Sequence, residues 1–218
     1  MILLHRRNVA AECRRRRITR LLHSTNLYRN LPQILETGEL QTARGLIERY
    51  GHEGAKRFLH DPCRYEQFAV GLDYLNASLT VPNYELLYHR SKADWRAEWV
   101  HLALPPSLLE RSDTLFCPVS AAKEKGRFVQ GGLGGFVAMF APEVDGRNRE
   151  GLLRDVPTHP QAEVLLRGPL PLADVAAVIV ADQQTGTEIE RLCEHYSRTI
   201  RVEVAPHLFA WPERLVKK

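Results

Sequence analysis

The chain has 218 residues, 44% of them hydrophobic and 26% charged, which is enough apolar material for a sizeable core and is compatible with one large domain spanning 1–218. There is no run of eighteen apolar residues and no apolar N-terminal block with a small-residue cleavage site, which argues against a helical membrane protein or a secreted one and predicts a soluble, cytoplasmic protein. The net charge of +4, with a pI near 9.0, permits a polyanionic partner without requiring one. The four cysteines, Cys13, Cys63, Cys117 and Cys193, form no Cys-x-x-Cys pair, so neither a disulfide framework nor a zinc site is indicated and no metal is expected.

In chain order, Arg6, Arg7 and Arg14 to Arg17 flank a short helical pattern containing Val9, Ala10 and Ala11. This predicts a basic helix over 1–17 that suits a phosphate backbone and a solvated face equally well. Segment 18–23 then turns apolar, as a first core strand does, and runs into the polar group His23-Ser24-Thr25-Asn26. Asn30 as N-cap, Pro32 in the first turn and Gly38 as the stop predict a short helix. Segment 41–70 mixes charges with Gly45, Gly51 and Gly54, offers a helical signal only over 54–59, and reads as a long loop. Leu75, Ala77, Leu79 and Val81 alternate as a strand that stops at Pro82-Asn83, a helix begins over 84–88, and 99–104 is an apolar strand. Lys123, Lys125 and Arg127 precede Gly131-Gly132-Leu133-Gly134-Gly135. This basic, pliant segment fits neither Gly-x-Gly-x-x-Gly nor a Walker loop, and suits a plain surface connection as well as a loop beside a nucleic acid. A buried strand at 175–180, an amphipathic helix at 187–195, a terminal strand at 200–204 and a tail over 205–218 complete the chain.

The stretch 156–166, VPTHPQAEVLL, stands out because Glu163 abuts the apolar run Val164-Leu165-Leu166. A carboxylate at the end of a buried strand must be paired, protonated or used, since leaving it unpaired in the core costs several kcal/mol. Pro157 and Pro160 fix two φ angles and stiffen the approach to that strand. A rigid loop that delivers one carboxylate to a strand end suits catalysis, whereas the ordinary alternative is a surface or ion-paired glutamate.

Several segments, in order, resemble the DarT-type ADP-ribosyltransferases over roughly 18–194. LLHSTNLYRNLPQILETGEL (21–40) is similar to that family's NAD-binding entry, with His23, Thr25 and Asn30 at the matching positions. Asp61-Pro62-Cys63-Arg64 resembles the family's Asp-x-x-Arg element and makes Arg64 the candidate catalytic arginine, with Arg57 next, although Tyr65-Glu66-Gln67-Phe68 follows where the family has Leu-Asp-Gly. SLTVPNY (78–84) resembles the Ser-Ile-x-x-Pro-Asn element of the guanine-modifying branch, and the aromatic Pro-Arg-Ser-Pro segment of the thymine-modifying branch is missing. FCPVSAA (116–122) resembles Phe-Cys-Pro-x-Asn-Ala-Ala with Ser120 in place of the Asn, and 157–165 looks like the signature that carries the catalytic Glu.

The resemblance implies an α+β, ADP-ribosyltransferase-like fold: two packed, mostly antiparallel sheets around an NAD cleft, with peripheral helices. It implies an enzyme that uses NAD to ADP-ribosylate a base in single-stranded DNA, guanine before thymine, releasing nicotinamide. Glu163 and Arg64 would be catalytic. His23, Ser24, Thr25, Asn30 and Ser78 would hold NAD, and Tyr84, Ser120, Lys123, Lys125 and Arg127 would meet the nucleic acid. The implied setting is a toxin of a toxin–antitoxin or anti-phage system, partnered by an antitoxin that removes ADP-ribose. An RNA acceptor, or a non-catalytic module binding NAD or nucleic acid, is the alternative.

Overall fold

The computed structural model of the chain describes residues 2–59, 69–94 and 98–212. Its frame is an eight-stranded sheet assembled from β1 (Leu21–Asn26), β3 (Tyr74–Leu79), β4 (Trp99–Leu104), β5 (Leu115–Cys117), β6 (Gln130–Gly131), β9 (Glu163–Arg167), β11 (Ala177–Val180) and β12 (Val202–Val204). The spatial order is β12-β11-β4-β1-β3-β9-β5-β6, antiparallel throughout except for the parallel pair β11 and β12. β2 (Glu39–Leu40) pairs with β10 (Leu170–Pro171), and β7 (Glu143–Val144) forms a hairpin with β8 (Arg147–Asn148). The expected α+β fold is the observed one, and the two expected sheets meet edge to edge instead of standing apart. β1 pairs with β4 along six residues but with β3 only at Leu21↔Leu79 and Leu22↔Ser78, so the two halves of the sheet diverge beyond that point.

Strand alternation assigns the faces. Leu21 of β1, Leu75, Ala77 and Leu79 of β3, Val100, Leu102 and Leu104 of β4, and Val164 and Leu166 of β9 enter the main core. Leu22, Ala103, Ala177 and Ile179 pack in a second cluster on the other face, beneath Leu208. The helices cover the edges: α1 (Ile2–Arg16), α2 (Leu31–Thr37), α3 (Ala43–Ala55), α4 (Tyr84–Ala93), α5 (Gly132–Ala138) and α6 (Gln183–His195). Gly38 ends α2 in the left-handed conformation, φ 76°, donating its N–H to the Ile34 carbonyl, as the sequence predicts. No described helix is long and apolar enough to cross a membrane.

Two expectations are corrected. Within the segment read as a long loop, Thr42 caps Gly45 and starts α3, whose Leu46 and Ala55 pack with Phe58; Gly51, at φ 69°, kinks it and had masked the periodicity. The glycine-rich stretch after Arg127 is no pliant loop, because α5 begins at Gly132 and buries Phe136 against Phe116, ring centroids 5.4 Å apart. The apolar residues that follow the glycines decide its structure.

Candidate active site

Where β1 and β3 part, the ends of both strands line a cleft with about 1080 Å³ of empty space, some of it open to solvent. The β1 end supplies His23, Ser24 and Thr25, β3 supplies Tyr74, Asn76 and Ser78, and β9 supplies Glu163. α2 and α4 wall the cleft, the latter with Asn83 and Arg90. Of the residues singled out in the sequence, His23, Ser24, Thr25, Asn30, Ser78 and Glu163 therefore converge on one opening.

Glu163 is 3% exposed. One of its carboxylate oxygens, Oε2, accepts from the Asn76 amide Nδ2 at 3.1 Å and from the Ala121 backbone N–H at 2.9 Å. Two donors converging on one oxygen fix the direction in which the carboxylate points. The approach to it is fastened as the two prolines suggest: Thr158 donates from its hydroxyl to Ala141 O at 2.6 Å, and its N–H meets Met139 O at 2.9 Å. The Arg149 guanidinium lies over the Phe140 ring at 5.0 Å and donates to the Leu153, Arg154 and Val156 carbonyls, holding 149–156 in shape while Leu153 stays 71% exposed.

His23 sits at the divergence, its Nδ1 2.8 Å from the Asn76 carbonyl oxygen. A carbonyl only accepts, so Nδ1 carries the proton and Nε2 is left as an acceptor. Burial pushes the His23 imidazole below its ordinary value; the hydrogen bond to the Asn76 carbonyl opposes this, and the charge of Arg90 adds to it. The neutral ring is thus the resting form. Asn30 occupies the N-cap position of α2 but does not cap it: its Nδ2 donates to Phe58 O at 3.0 Å, and its buried Oδ1 meets no donor among the described residues. Asn83 does cap α4, accepting from Leu86 N–H at 3.0 Å, and its buried Nδ2 meets no acceptor among the described residues. Ser24 faces away, its hydroxyl 2.9 Å from Nδ1 of His101, which stands opposite it in the ladder. Only the remainder of Ser24 borders the cleft.

A dinucleotide fits this lining. Ile34, Leu46 and Phe58 offer apolar walls for rings, while Asn30 Oδ1 and the Nε2 of His23 offer acceptors for hydroxyl or carboxamide protons.

The sequence-predicted nucleic-acid contacts lie elsewhere. Tyr84, at the start of α4, packs edge-on to Trp211 at 6.4 Å. Ser120 precedes the Ala121 N–H that reaches Glu163. Lys123 is paired with Asp145 at 2.5 Å and Arg127 with Glu124 at 2.9 Å, while Lys125 is exposed in a left-handed turn, φ 58°. α1 buries Val9 and Cys13, and Arg16 stacks on the Phe140 ring at 3.7 Å, so one of its basic residues is structural. Arg64 lies outside the described residues. Arg57 stands over Phe58 at 4.5 Å and Tyr50 at 5.1 Å. Sequence reasoning missed Asn76, Gln33 and Arg90 in the cleft. The alternation of β3 carried a signal for Asn76, which falls between the core residues Leu75 and Ala77.

A cleft between diverging half-sheets, with a buried glutamate at one strand end and a neutral histidine at another, defines an ADP-ribosyltransferase-like fold. The sequence profile described as "ssDNA thymidine ADP-ribosyltransferase, DarT" matches residues 23–210, and the chain belongs to that family. Among solved structures, Thermus sp. 2.9 DarT in complex with NAD+ is similar with a TM-score of 0.58 at 16% identity, over 87% of this chain and 96% of that one. The same protein in complex with ADP-ribosylated ssDNA gives 0.59 at 16%, over 88% and 96%. Thermosipho africanus DarTG in complex with ADP-ribose gives 0.60 at 17%, over 89% of this chain and 52% of that one, so the chain spans about half the length of that relative. No curated protein sequence matches the chain.

Proposed function

We propose that this chain transfers ADP-ribose from NAD to a base in single-stranded DNA, guanine in preference, with release of nicotinamide. The observation that carries the transferase reading is the buried Glu163 carboxylate, held by two donors at the edge of the cleft. Breaking the bond between nicotinamide and C1′ of the ribose sends the bonding electrons to the departing neutral base and builds positive charge on the sugar. A fixed carboxylate beside it stabilises that charge in a site that needs little reorganisation. Glu163 holds a ribose hydroxyl and takes the proton that the base nitrogen loses on bonding to C1′. His23 and Asn30 accept from the NAD, Thr25 and Ser78 border it, and Arg64 pairs with its pyrophosphate or polarises the base. An unpaired strand avoids the cost of extracting the base from a duplex. Support for DNA as acceptor comes from the family description and from the Thermus relative in complex with ADP-ribosylated ssDNA.

Guanine is favoured by the likeness of 78–84 and 116–122 to the guanine-modifying branch, and thymine is the second reading because the family description names thymidine. The two exclude each other physically, since guanine presents an amine and a ring N–H where thymine presents one imide N–H between carbonyls. Oligonucleotides that differ only by G or T, incubated with NAD and weighed for the gain of one ADP-ribose, separate them. Gain on the G strand alone is expected, and gain on the T strand alone assigns thymine. RNA and protein acceptors belong in the same assay. The resemblance further supports a toxin role with an ADP-ribose-removing antitoxin as partner, in line with the DarTG relative.

A further inference from the structure

Asn76 joins the two sides of the cleft with two different groups. Its main-chain carbonyl accepts the His23 Nδ1 proton at 2.8 Å, and its side-chain Nδ2 donates to Glu163 Oε2 at 3.1 Å. The strand geometry makes this possible. Asn76 pairs with Leu165 in the β3–β9 ladder, two residues beyond Glu163 on the same face, while its carbonyl points along the sheet plane toward the widening gap beside β1. We infer that Asn76 is a positioning residue that orients the Glu163 carboxylate through its side chain and sets the His23 tautomer through its backbone.

This assignment deepens the transferase reading and rests on it for its kinetic consequence. The two groups separate by mutation, because a side-chain substitution leaves the carbonyl in place. Asn76→Ala removes the donor to Glu163 and keeps the partner of His23, so NAD affinity and KM stay within about threefold while kcat falls about 10- to 100-fold, as expected when a catalytic group is held slightly out of position. Asn76→Asp replaces the donor with a second carboxylate beside Glu163 and is expected to lower kcat at least as far.

The experiment is steady-state transfer from NAD to single-stranded DNA for the parent, Asn76→Ala and Asn76→Asp, with calorimetry for NAD. It is joined by NMR of the Asn76 side-chain amide in the parent and in Glu163→Gln. A kcat loss with retained NAD affinity and KM, and an amide signal that moves on Glu163→Gln, support the assignment. An active parent whose Asn76 variants keep its kcat overturns it and leaves the transferase reading standing. If the parent itself transfers nothing, that reading falls, and the amide signal decides the Asn76–Glu163 contact: one unmoved by Glu163→Gln overturns it.

Discussion

At the scale of single residues, the carboxylate at the end of β9 is the group with the most to lose. Glu163→Gln keeps the volume and removes the charge, so transfer is expected to drop about 10²-fold or more with the melting temperature little changed; single-turnover kinetics beside a thermal melt checks this. His23 and Ser24 are neighbours in sequence that diverge in consequence. His23→Ala removes an acceptor at the cleft and should weaken NAD binding in calorimetry. Ser24→Ala should leave it intact and lower stability by about 1 kcal/mol, because its hydroxyl serves His101 on the far face. The sequence showed that polar groups cluster at this strand end. Which of them turn toward the cleft depended on the register Ser24↔His101, a long-range pairing that no local pattern encodes. For Asn76 the alternation of β3 marked the face, but its partners, 53 and 87 positions away, were beyond any local pattern.

At the scale of elements, strands announced themselves and helices misled where glycine intervened. β3, β4 and β11 lie where alternation or an apolar run placed them, and Gly38 ends α2 as its chemistry requires. α5 was illegible because its N-cap and three of its seven residues are glycines, yet one of these is there for space. A Cβ on Gly135 would lie 2.4 Å from the Gln130 carbonyl oxygen, a backbone atom with little freedom to retreat. Gly135→Ala is therefore expected to destabilise by about 1–3 kcal/mol despite the higher helix propensity of alanine. Denaturant unfolding measures it, and a stabilised variant would contradict this packing of α5 on β6.

At the scale of the whole molecule, buried neutral histidines tie the fold to pH. Burial lowers His101 from 6.5 to about 4, the largest contribution, and lowers His23 and His159 as well. In each case the unfolded chain takes up a proton more readily than the folded one, so stability is fully present above about pH 6.5 and declines as the pH falls below it. For His101 the decline continues to about pH 4, where the folded form also protonates, and amounts to roughly 3 kcal/mol. Urea midpoints at pH 7 and pH 5 test this, and His101→Gln should flatten the difference.

The seam between the half-sheets has a consequence for motion. The β1–β3 ladder consists of only the pairs Leu21↔Leu79 and Leu22↔Ser78, with the single His23–Asn76 hydrogen bond beyond them. A short ladder under a wide opening behaves as the root of a pair of jaws: small angular fluctuations there become large changes in gape at the tips. A molecule lodged between the jaws bridges them and suppresses the fluctuation at the root, without touching every residue in it. Native-state hydrogen exchange should accordingly slow at the seam amides of Leu21 and Leu79 when NAD is added, while amides in α6, on the far side of β11, exchange as before. Equal slowing in both places would mean that the halves move as one.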